Sequence, residues 1–384
     1  MAPASAKAAG ASAQDVSAVS MGDAYISGEG GRWQGNAAGD WSKGGVDPAV
    51  KDATDRVKTA GLSLDQIYAP REALSDGRTP GCHRSDVSEI NGAMGTPTSA
   101  GPVNHVMNFA CSGAASLTTA FKEQRPQLDQ LNNLLDNHRT RVMLIALSIG
   151  GDFLPVTIEK CVNSWRATKW CSTDPEVTGS VDTALKSVGS KVTAAIEQIK
   201  ASLKAADSPA RIILQSYPNP LARGNPATTV GNENSWDRWS AFGCPFYNKD
   251  LQWLSADVIA SLAAELKKVA QAEGITFLDL TDILQGHEVC SSQAQQAEKT
   301  PRGQAYVPPA ADTEWARYFE RSTSPLPASQ TQEPMHPNYW GQKAMANCLF
   351  SVAKQLNQVD HSLSLRCDGA AGRAPEKITA APAP

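Results

Sequence analysis

The sequence lacks several features that would assign it at once to a common class of protein. It has no apolar run long enough to cross a membrane as a helix. Its net charge of −4 gives no general attraction to nucleic acid or to an anionic membrane surface. With 384 residues, 41% of them hydrophobic and 19% charged, the chain has the ordinary composition of a globular protein with a sizeable core. We therefore expect a monomer with no nucleic-acid partner and no membrane insertion.

The sequence also lacks a C-x-x-C pair and any cysteine–histidine cluster with zinc-site spacing, so we expect neither a metal nor a cofactor. An even number of scattered cysteines favours structural disulfides, and hence a secreted protein in an oxidising compartment. The alternative is buried free thiols in a cytosolic protein. Sequence does not fix the connectivity, and our working prediction is sequential pairing: 82–111, 161–171, 244–290 and 348–367.

Both ends of the chain have the composition of tails. Residues 1–14 are rich in Ala and Ser and contain no apolar segment of a signal peptide, so we expect a disordered tail on a mature chain behind an added Met1. Residues 368–384 are rich in Ala and Pro, and we expect them to be disordered as well. No repeat or linker divides residues 15–367, which predicts one domain.

Short apolar runs alternate with helical patterns along this domain. Helical spacing of apolar residues appears near 128–135, over 181–203 and over 258–269. This alternation predicts a three-layer α/β/α fold with a five-stranded parallel sheet, interrupted by long disulfide-bonded insertions. The predicted strands are Val16–Met21, His105–Ala110, Arg141–Ser148, Ala210–Tyr217 and Ile275–Leu280.

Glycine-containing segments follow the first three predicted strands, at the edge where parallel sheets bind ligands. They are Gly22-Asp23-Ala24-Tyr25, Cys111-Ser112-Gly113 and Gly150-Gly151-Asp152, and a fourth segment, Glu333-Pro334-Met335-His336-Pro337, lies near the C-terminus. In this order the four segments resemble the sequence blocks of the SGNH (GDSL) hydrolases, in particular secreted actinobacterial-type esterases and lipases. The resemblance implies a flavodoxin-like sheet and hydrolysis of a small-molecule, lipid or glycan ester through an acyl-enzyme, without a cofactor.

The resemblance also implies roles for individual residues. Position 24 is the nucleophilic serine of the family, but this chain has Ala24. His336 maps onto the base that takes the serine proton and returns it to the leaving group. Glu333 stands where the family usually has the aspartate that orients the histidine. Some relatives use a backbone carbonyl for that purpose instead.

The oxyanion hole departs from the family pattern. Gly113 maps onto the glycine whose backbone N–H contacts the oxyanion. The family's asparagine in the third block is missing here: either Asp152 replaces it or the asparagine is deleted and Asp152 is the next residue. An ionised aspartate cannot donate a hydrogen bond and would repel an oxyanion. The remaining candidates are the backbone N–H groups of positions 24 and 113, with those of Gly151 and Asp152.

Four further residues are candidates for substrate contacts. Asp23 and Tyr25 flank the nucleophile position. His83 and Arg84 belong to a segment, residues 81–86, that resembles a Cys-His-Arg-Ser-Asp stretch of the same secreted enzymes. For His83 and Arg84 we favour a structural role, in which a disulfide-anchored loop satisfies backbone groups.

Three interpretations of Ala24 remain. The chain is a serine-to-alanine variant of an active enzyme, a natural pseudoenzyme that binds a glycan or lipid ester, or an enzyme with another nucleophile. We favour the first, because His336 and Gly113 persist around the missing hydroxyl. In the first two cases this chain should be nearly inactive, since loss of a triad nucleophile leaves only a small part of the rate acceleration.

Overall fold

The computed structural model describes residues 15–40, 42, 45–57, 68, 81–98, 101–119, 125–137, 140–320, 332–359 and 361–383. The predicted tail at residues 1–14 lies outside these residues.

The fold is built on a seven-stranded sheet with the order β7-β6-β5-β4-β3-β1-β2. All neighbouring strands are parallel except β6 and β7. Strands β1 to β5 follow the order 2-1-3-4-5 of flavodoxin-like sheets. The predicted fold class is therefore confirmed, with two short strands added at one edge. The strands are β1 Asp15–Gly22, β2 His105–Asn108, β3 Thr140–Ser148, β4 Arg211–Gln215, β5 Thr276–Asp279, β6 Ser364–Arg366 and β7 Ala381–Pro382.

Helices flank this sheet in two groups. Helices α3 (Gln127–Leu135) and α8 (Ala260–Ala272) both pack against α5 (Pro175–Ala205), whereas α9 (Tyr339–Leu356) packs against the 3-10 helices Glu89–Ala93 and Pro375–Lys377. Because both faces are covered, β1 and β3 are buried along most of their length. The helices of the described residues are α1 Ala24–Ser27, α2 Pro48–Thr54, α3 Gln127–Leu135, α4 Leu154–Arg166, α5 Pro175–Ala205, α6 Asp237–Ser240, α7 Asn248–Trp253, α8 Ala260–Ala272 and α9 Tyr339–Leu356, with a π-helical segment, Leu254–Ile259, between α7 and α8.

All eight cysteines are paired in four disulfides, and the sequential connectivity predicted from the sequence is confirmed. The Cys82–Cys111 bond ties the loop after residue 81 to the end of β2. The Cys348–Cys367 bond joins α9 to the end of β6. Within the described parts of the chain, no helix is long and apolar enough to span a membrane.

The C-terminal segment is ordered, so the expectation of a disordered tail from residue 368 is wrong for residues 368–383. Strand β7 pairs with β6 through Leu365 and Pro382, and the side chain of Ile378 is buried. The Gly369 N–H donates to the Asp282 carbonyl at 2.8 Å. Composition suggested disorder because the segment has few apolar residues, but one buried isoleucine and a short ladder hold it on the domain.

Replacement of Ile378 by alanine tests this order. Ile378→Ala should lower the free energy of unfolding by about 2–4 kcal/mol, because it removes a buried aliphatic side chain from a packed site. Thr379→Ala, at the exposed neighbouring position, should leave it within about 0.5 kcal/mol. Urea denaturation measures both. Equal stabilities of the two variants and the parent would show that the segment does not pack on the domain.

Candidate active site

Position 24 is fixed by a sharp turn at the end of β1. Gly22 has a φ of +134°, and a Cβ at this position would lie 1.8 Å from the carbonyl oxygen of Ser148 on β3. The side chain of Gln127 accepts from the Gly22 N–H and donates to the Gly22 carbonyl, both at 2.8 Å. Asp23 caps α1 by accepting from the Tyr25 N–H at 3.2 Å. Ala24 is therefore the first residue of a helix at the carboxyl end of a central strand.

A tyrosine that follows β4 connects this turn to the third block. The Tyr217 hydroxyl donates to the Asp23 carboxylate and accepts from the Gly151 N–H at 2.9 Å. Close packing requires glycine at 151, where a Cβ would lie 2.4 Å from the tyrosine ring. The Gly151 N–H is thus already hydrogen-bonded, which corrects the expectation that it is available to an oxyanion.

The carboxyl group of Asp23 has an unusual environment. Burial raises the pKa of Asp23 to about 7, although the hydrogen bond from Tyr217 partly opposes the shift and the negative charge of Asp152 adds to it. Asp152 itself is exposed. Neither Asp23 nor Tyr25 presents a surface to a substrate, since both side chains are buried. Their predicted role as substrate contacts is replaced by a role in shaping the turn.

His336 is brought to the same region by the segment before α9. Its ring is buried, and its centroid lies 4.7 Å from that of Tyr25. Neither Nδ1 nor Nε2 has a hydrogen-bond partner among the described residues. Burial lowers the pKa of His336, and the negative charge of Glu29 and the backbone carbonyls of residues 332–334 oppose that shift. A buried imidazole with both nitrogens unpartnered is an unusual feature that points to a functional role.

Glu333 does not orient this imidazole. Its carboxylate accepts from the Trp33 indole N–H at 2.8 Å and from the Tyr68 hydroxyl at 3.1 Å, and it lies 3.6 Å from the Arg32 guanidinium. Burial raises the pKa of Glu333, and the Arg32 charge opposes the shift. The predicted pairing of Glu333 with His336 is therefore absent from this structure, because the carboxylate is held by partners that the sequence did not place beside it.

Sequence reasoning missed a second carboxylate, Glu29. It is fully buried, and its Oε2 lies 2.7 Å from Nδ1 of His83. Burial acts to raise the pKa of Glu29, but the charge and hydrogen bond of His83 outweigh it and hold the pKa below its ordinary value. The His83 ring also stacks on Tyr68, with centroids 5.2 Å apart. A charged residue between glycines directly after α1, in Gly28-Glu29-Gly30, was the available signal.

The Arg84 side chain supports the segment that follows β2. Its guanidinium donates to the carbonyls of Ala110 and Phe109 at 2.8 and 3.0 Å, which fixes the chain after β2. The N–H of Cys111 in turn donates to the Gly22 carbonyl at 3.0 Å. The loop that carries Gly113 is thereby held beside the end of β1.

Two backbone donors are available near position 24. Gly113 is exposed with a φ of +85°, and Ala24 is the first helical residue. Neither N–H forms a hydrogen bond to another described residue. In the described part of the chain there is no cluster of three or more His, Cys, Asp or Glu side chains placed to hold a metal ion. The segments that carry Ala24, Gly113 and His336 therefore meet at the carboxyl end of β1, through the bond from the Cys111 N–H to the Gly22 carbonyl and the contact of the His336 ring with Tyr25.

Comparisons with solved structures give partial similarities. An extracellular lipase from Streptomyces rimosus is 17% identical over 85% of this chain and 94% of its own, with a TM-score of 0.44. Phospholipase A1 from Streptomyces albidoflavus is 16% identical over 86% of this chain and 95% of its own, with a TM-score of 0.42. No protein-family model and no curated protein matches the chain. At this level of similarity, the function is argued from the residues of the site.

The two carboxylates should affect His336 unequally. Glu29→Gln should lower the pKa of the His336 imidazole, because it removes the negative charge that favours the protonated ring. Glu333→Gln should change the pKa of His336 less, because the positive charge of Arg32 offsets the negative charge of Glu333. NMR titration of the ring protons measures both variants. A larger shift from Glu333→Gln would contradict this assignment.

The pKa of Asp23 predicts a pH-dependent stability. Because its pKa in the folded state, about 7, is above that in the unfolded chain, the folded state binds the additional proton. The stabilisation is complete below the unfolded pKa and is lost as the pH rises through 7. In the parent, this proton should make the free energy of unfolding fall by about 2 kcal/mol between pH 5 and pH 8. In Asp23→Asn, which keeps a helix cap, this part of the fall should be absent. Parallel pH profiles in the variant and the parent would contradict the assignment.

Proposed function

We propose that this chain has the architecture of a secreted SGNH-type ester hydrolase whose nucleophile position is occupied by Ala24. The observation that carries the proposal is the buried His336 ring with two unpartnered nitrogens, packed against the residue that follows position 24. An imidazole in this condition suits the abstraction of a proton from a nearby hydroxyl. Ala24 has no hydroxyl, so we infer that the hydrolytic form carries serine there.

In the serine-bearing form, the reaction proceeds by two acyl transfers. The hydroxyl oxygen at position 24 attacks the ester carbonyl carbon while His336 takes its proton. The tetrahedral intermediate collapses, the C–O bond to the alcohol breaks, and His336 returns the proton to the leaving alcohol. Water then attacks the acyl carbon while His336 takes a proton from it, the bond from that carbon to the oxygen at position 24 breaks, His336 returns the proton to this oxygen, and the carboxylic acid leaves.

The developing negative charge is stabilised by backbone donors rather than by an asparagine. The N–H of position 24 belongs to the first turn of α1 directly after β1, and that of Gly113 belongs to a loop that the Cys111 N–H joins to the Gly22 carbonyl of β1. Such preorganised donors lower the barrier because they do not have to reorient during the reaction. With Asp152 in the third block and the Gly151 N–H held by Tyr217, the hole has fewer donors than the family pattern implies.

Glu29 provides the electrostatic support for His336 in this proposal. Its negative charge favours the imidazolium that forms during each proton transfer. The His83 partner keeps Glu29 ionised despite full burial. Glu333 instead holds Arg32, Trp33 and Tyr68 together beside the base.

The four disulfides support an oxidising, extracellular location. A carboxylic ester of a small molecule, a lipid or a glycan fits the proposed chemistry. The second candidate is a natural pseudoenzyme that binds such an ester without cleaving it. It is favoured by Asp152, because a protein released from catalysis can lose oxyanion donors as well as its nucleophile.

Restoring the hydroxyl tests the proposal. Ala24→Ser should hydrolyse p-nitrophenyl butyrate at least about 1,000-fold faster than the chain with Ala24, since the nucleophile is essential to a serine hydrolase. Release of p-nitrophenolate measures the rate.

A matched control is His336→Ala in the serine background, which should abolish the gain while leaving the fold intact. Inactivity of both the alanine and the serine forms, together with measurable binding of a glycan or lipid ester, would favour the pseudoenzyme. Hydrolysis that persists without His336 would contradict the role of this base.

A further inference from the structure

A cluster of aromatic side chains surrounds a cavity at the far end of α4. The cavity has a volume of about 530 Å³ and is lined by Trp165, Trp170, Trp236 and Tyr247. Its size lies in the range of about 300–1,000 Å³ that is typical of ligand pockets. Helix α4 has 13 residues and is therefore about 20 Å long. The N-terminus of α4 adjoins Asp152, whereas the cavity lies at the opposite end of this helix. The cavity is therefore separate from the candidate active site.

The aromatic rings are unusually accessible. Trp170 and Trp236 are 51% and 50% exposed. They stand at the rim of a compact wall, in which Trp165 packs edge-on against Trp236 at 5.2 Å and Trp170 packs edge-on against Tyr247 at 6.3 Å. A folded protein has little reason to leave two indole rings half-exposed at one concave site unless a ligand covers them.

The rim is also rigid. The Cys161–Cys171 disulfide joins α4 to the residue after Trp170. The Asp250 carboxylate accepts from the backbone N–H groups of Cys171 and Ser172 at 3.2 and 3.0 Å. On the other side, the Trp165 indole donates to the Glu233 carbonyl at 2.9 Å. The backbone next to Trp170 and the Trp165 ring are therefore fixed before any ligand binds, which reduces the entropic cost of binding.

Polar side chains alternate with these rings. Thr168, Lys169, Glu233 and Asn234 line the same cavity and offer both hydrogen-bond donors and acceptors. This combination matches a pyranose sugar, which presents C–H groups on its faces and hydroxyl groups around its edge. Indole faces pack on the C–H groups, and the polar side chains bond the hydroxyls.

The charges around the cavity argue against a cationic ligand, although aromatic boxes often bind quaternary ammonium groups. The ammonium of Lys249 lies 5.0 Å from the centroid of the Trp170 ring, and the Arg166 guanidinium lies 5.8 Å from that of Trp239. Lys169 adds a third positive charge in the wall, against the two carboxylates of Glu233 and Asp250. A neutral or acidic ligand is therefore favoured.

We propose that this aromatic cavity is a carbohydrate-binding site, distinct from the ester-cleaving centre, that holds the protein on an oligosaccharide or polysaccharide chain. The proposal does not require catalysis at position 24, because binding is measurable in the chain with Ala24.

Isothermal titration calorimetry of the full chain with cellohexaose, xylohexaose and chitohexaose tests the proposal. At least one hexasaccharide should bind with a Kd between about 10 µM and 10 mM. Trp170→Ala and Trp236→Ala should each weaken that binding at least tenfold. Asn234→Ala, at an exposed polar position of the rim, should weaken it several-fold and perturbs no packed side chain.

Phe350→Ala is the matched control, because Phe350 is a half-exposed aromatic residue on α9, outside the cavity. It should leave binding unchanged, and circular dichroism verifies the fold of each variant. Absence of binding by all three hexasaccharides at about 10 mM would overturn the proposal. So would binding that survives the combined Trp170→Ala and Trp236→Ala changes, or occupation of the cavity by tetramethylammonium in preference to a sugar.

Discussion

The hydroxyl of Tyr217 joins the carboxyl ends of three strands, and the geometry of the candidate site depends on this bridge. It bonds Asp23 after β1 and the Gly151 N–H after β3, while the tyrosine itself follows β4. The ring also supports Tyr25, at a centroid distance of 5.1 Å, and Tyr25 in turn packs against His336. One buried side chain thus contacts the turn before position 24 and the third block directly, and His336 through Tyr25.

The same bridge explains how the site departs from its sequence pattern. Because the Gly151 N–H is bonded to tyrosine, the proposed stabilisation of an oxyanion rests on the N–H groups of position 24 and Gly113. The carboxylate beside His336 also differs from the sequence pattern. Glu333 binds Arg32, Trp33 and Tyr68. The negative charge that acts on His336 comes from Glu29 instead. The site retains an imidazole whose two nitrogens have no hydrogen-bond partner among the described residues, while position 24 carries a methyl group.

Features carried by local patterns were predictable from the sequence. Apolar runs located β1 to β5, helical spacing of apolar residues located α3, α5 and α8, and the working prediction of sequential pairing matches the four disulfides. Strands β6 and β7 have three and two residues, too few for a recognisable run. The partners of Glu333, the bridge of Tyr217 and the pair of Glu29 with His83 join residues far apart in sequence. Such contacts are set by tertiary packing, which spacing within a motif does not encode.

The central claim, that position 24 is the nucleophile position served by His336, is tested most directly by covalent labelling. A fluorophosphonate reacts with an activated serine, and peptide mass spectrometry locates the adduct. The Ala24→Ser form should be labelled at position 24, the chain with Ala24 should remain unlabelled, and His336→Ala in the serine background should prevent labelling. Labelling of the chain with Ala24 at another serine, or no adduct in the Ala24→Ser form, would contradict the claim.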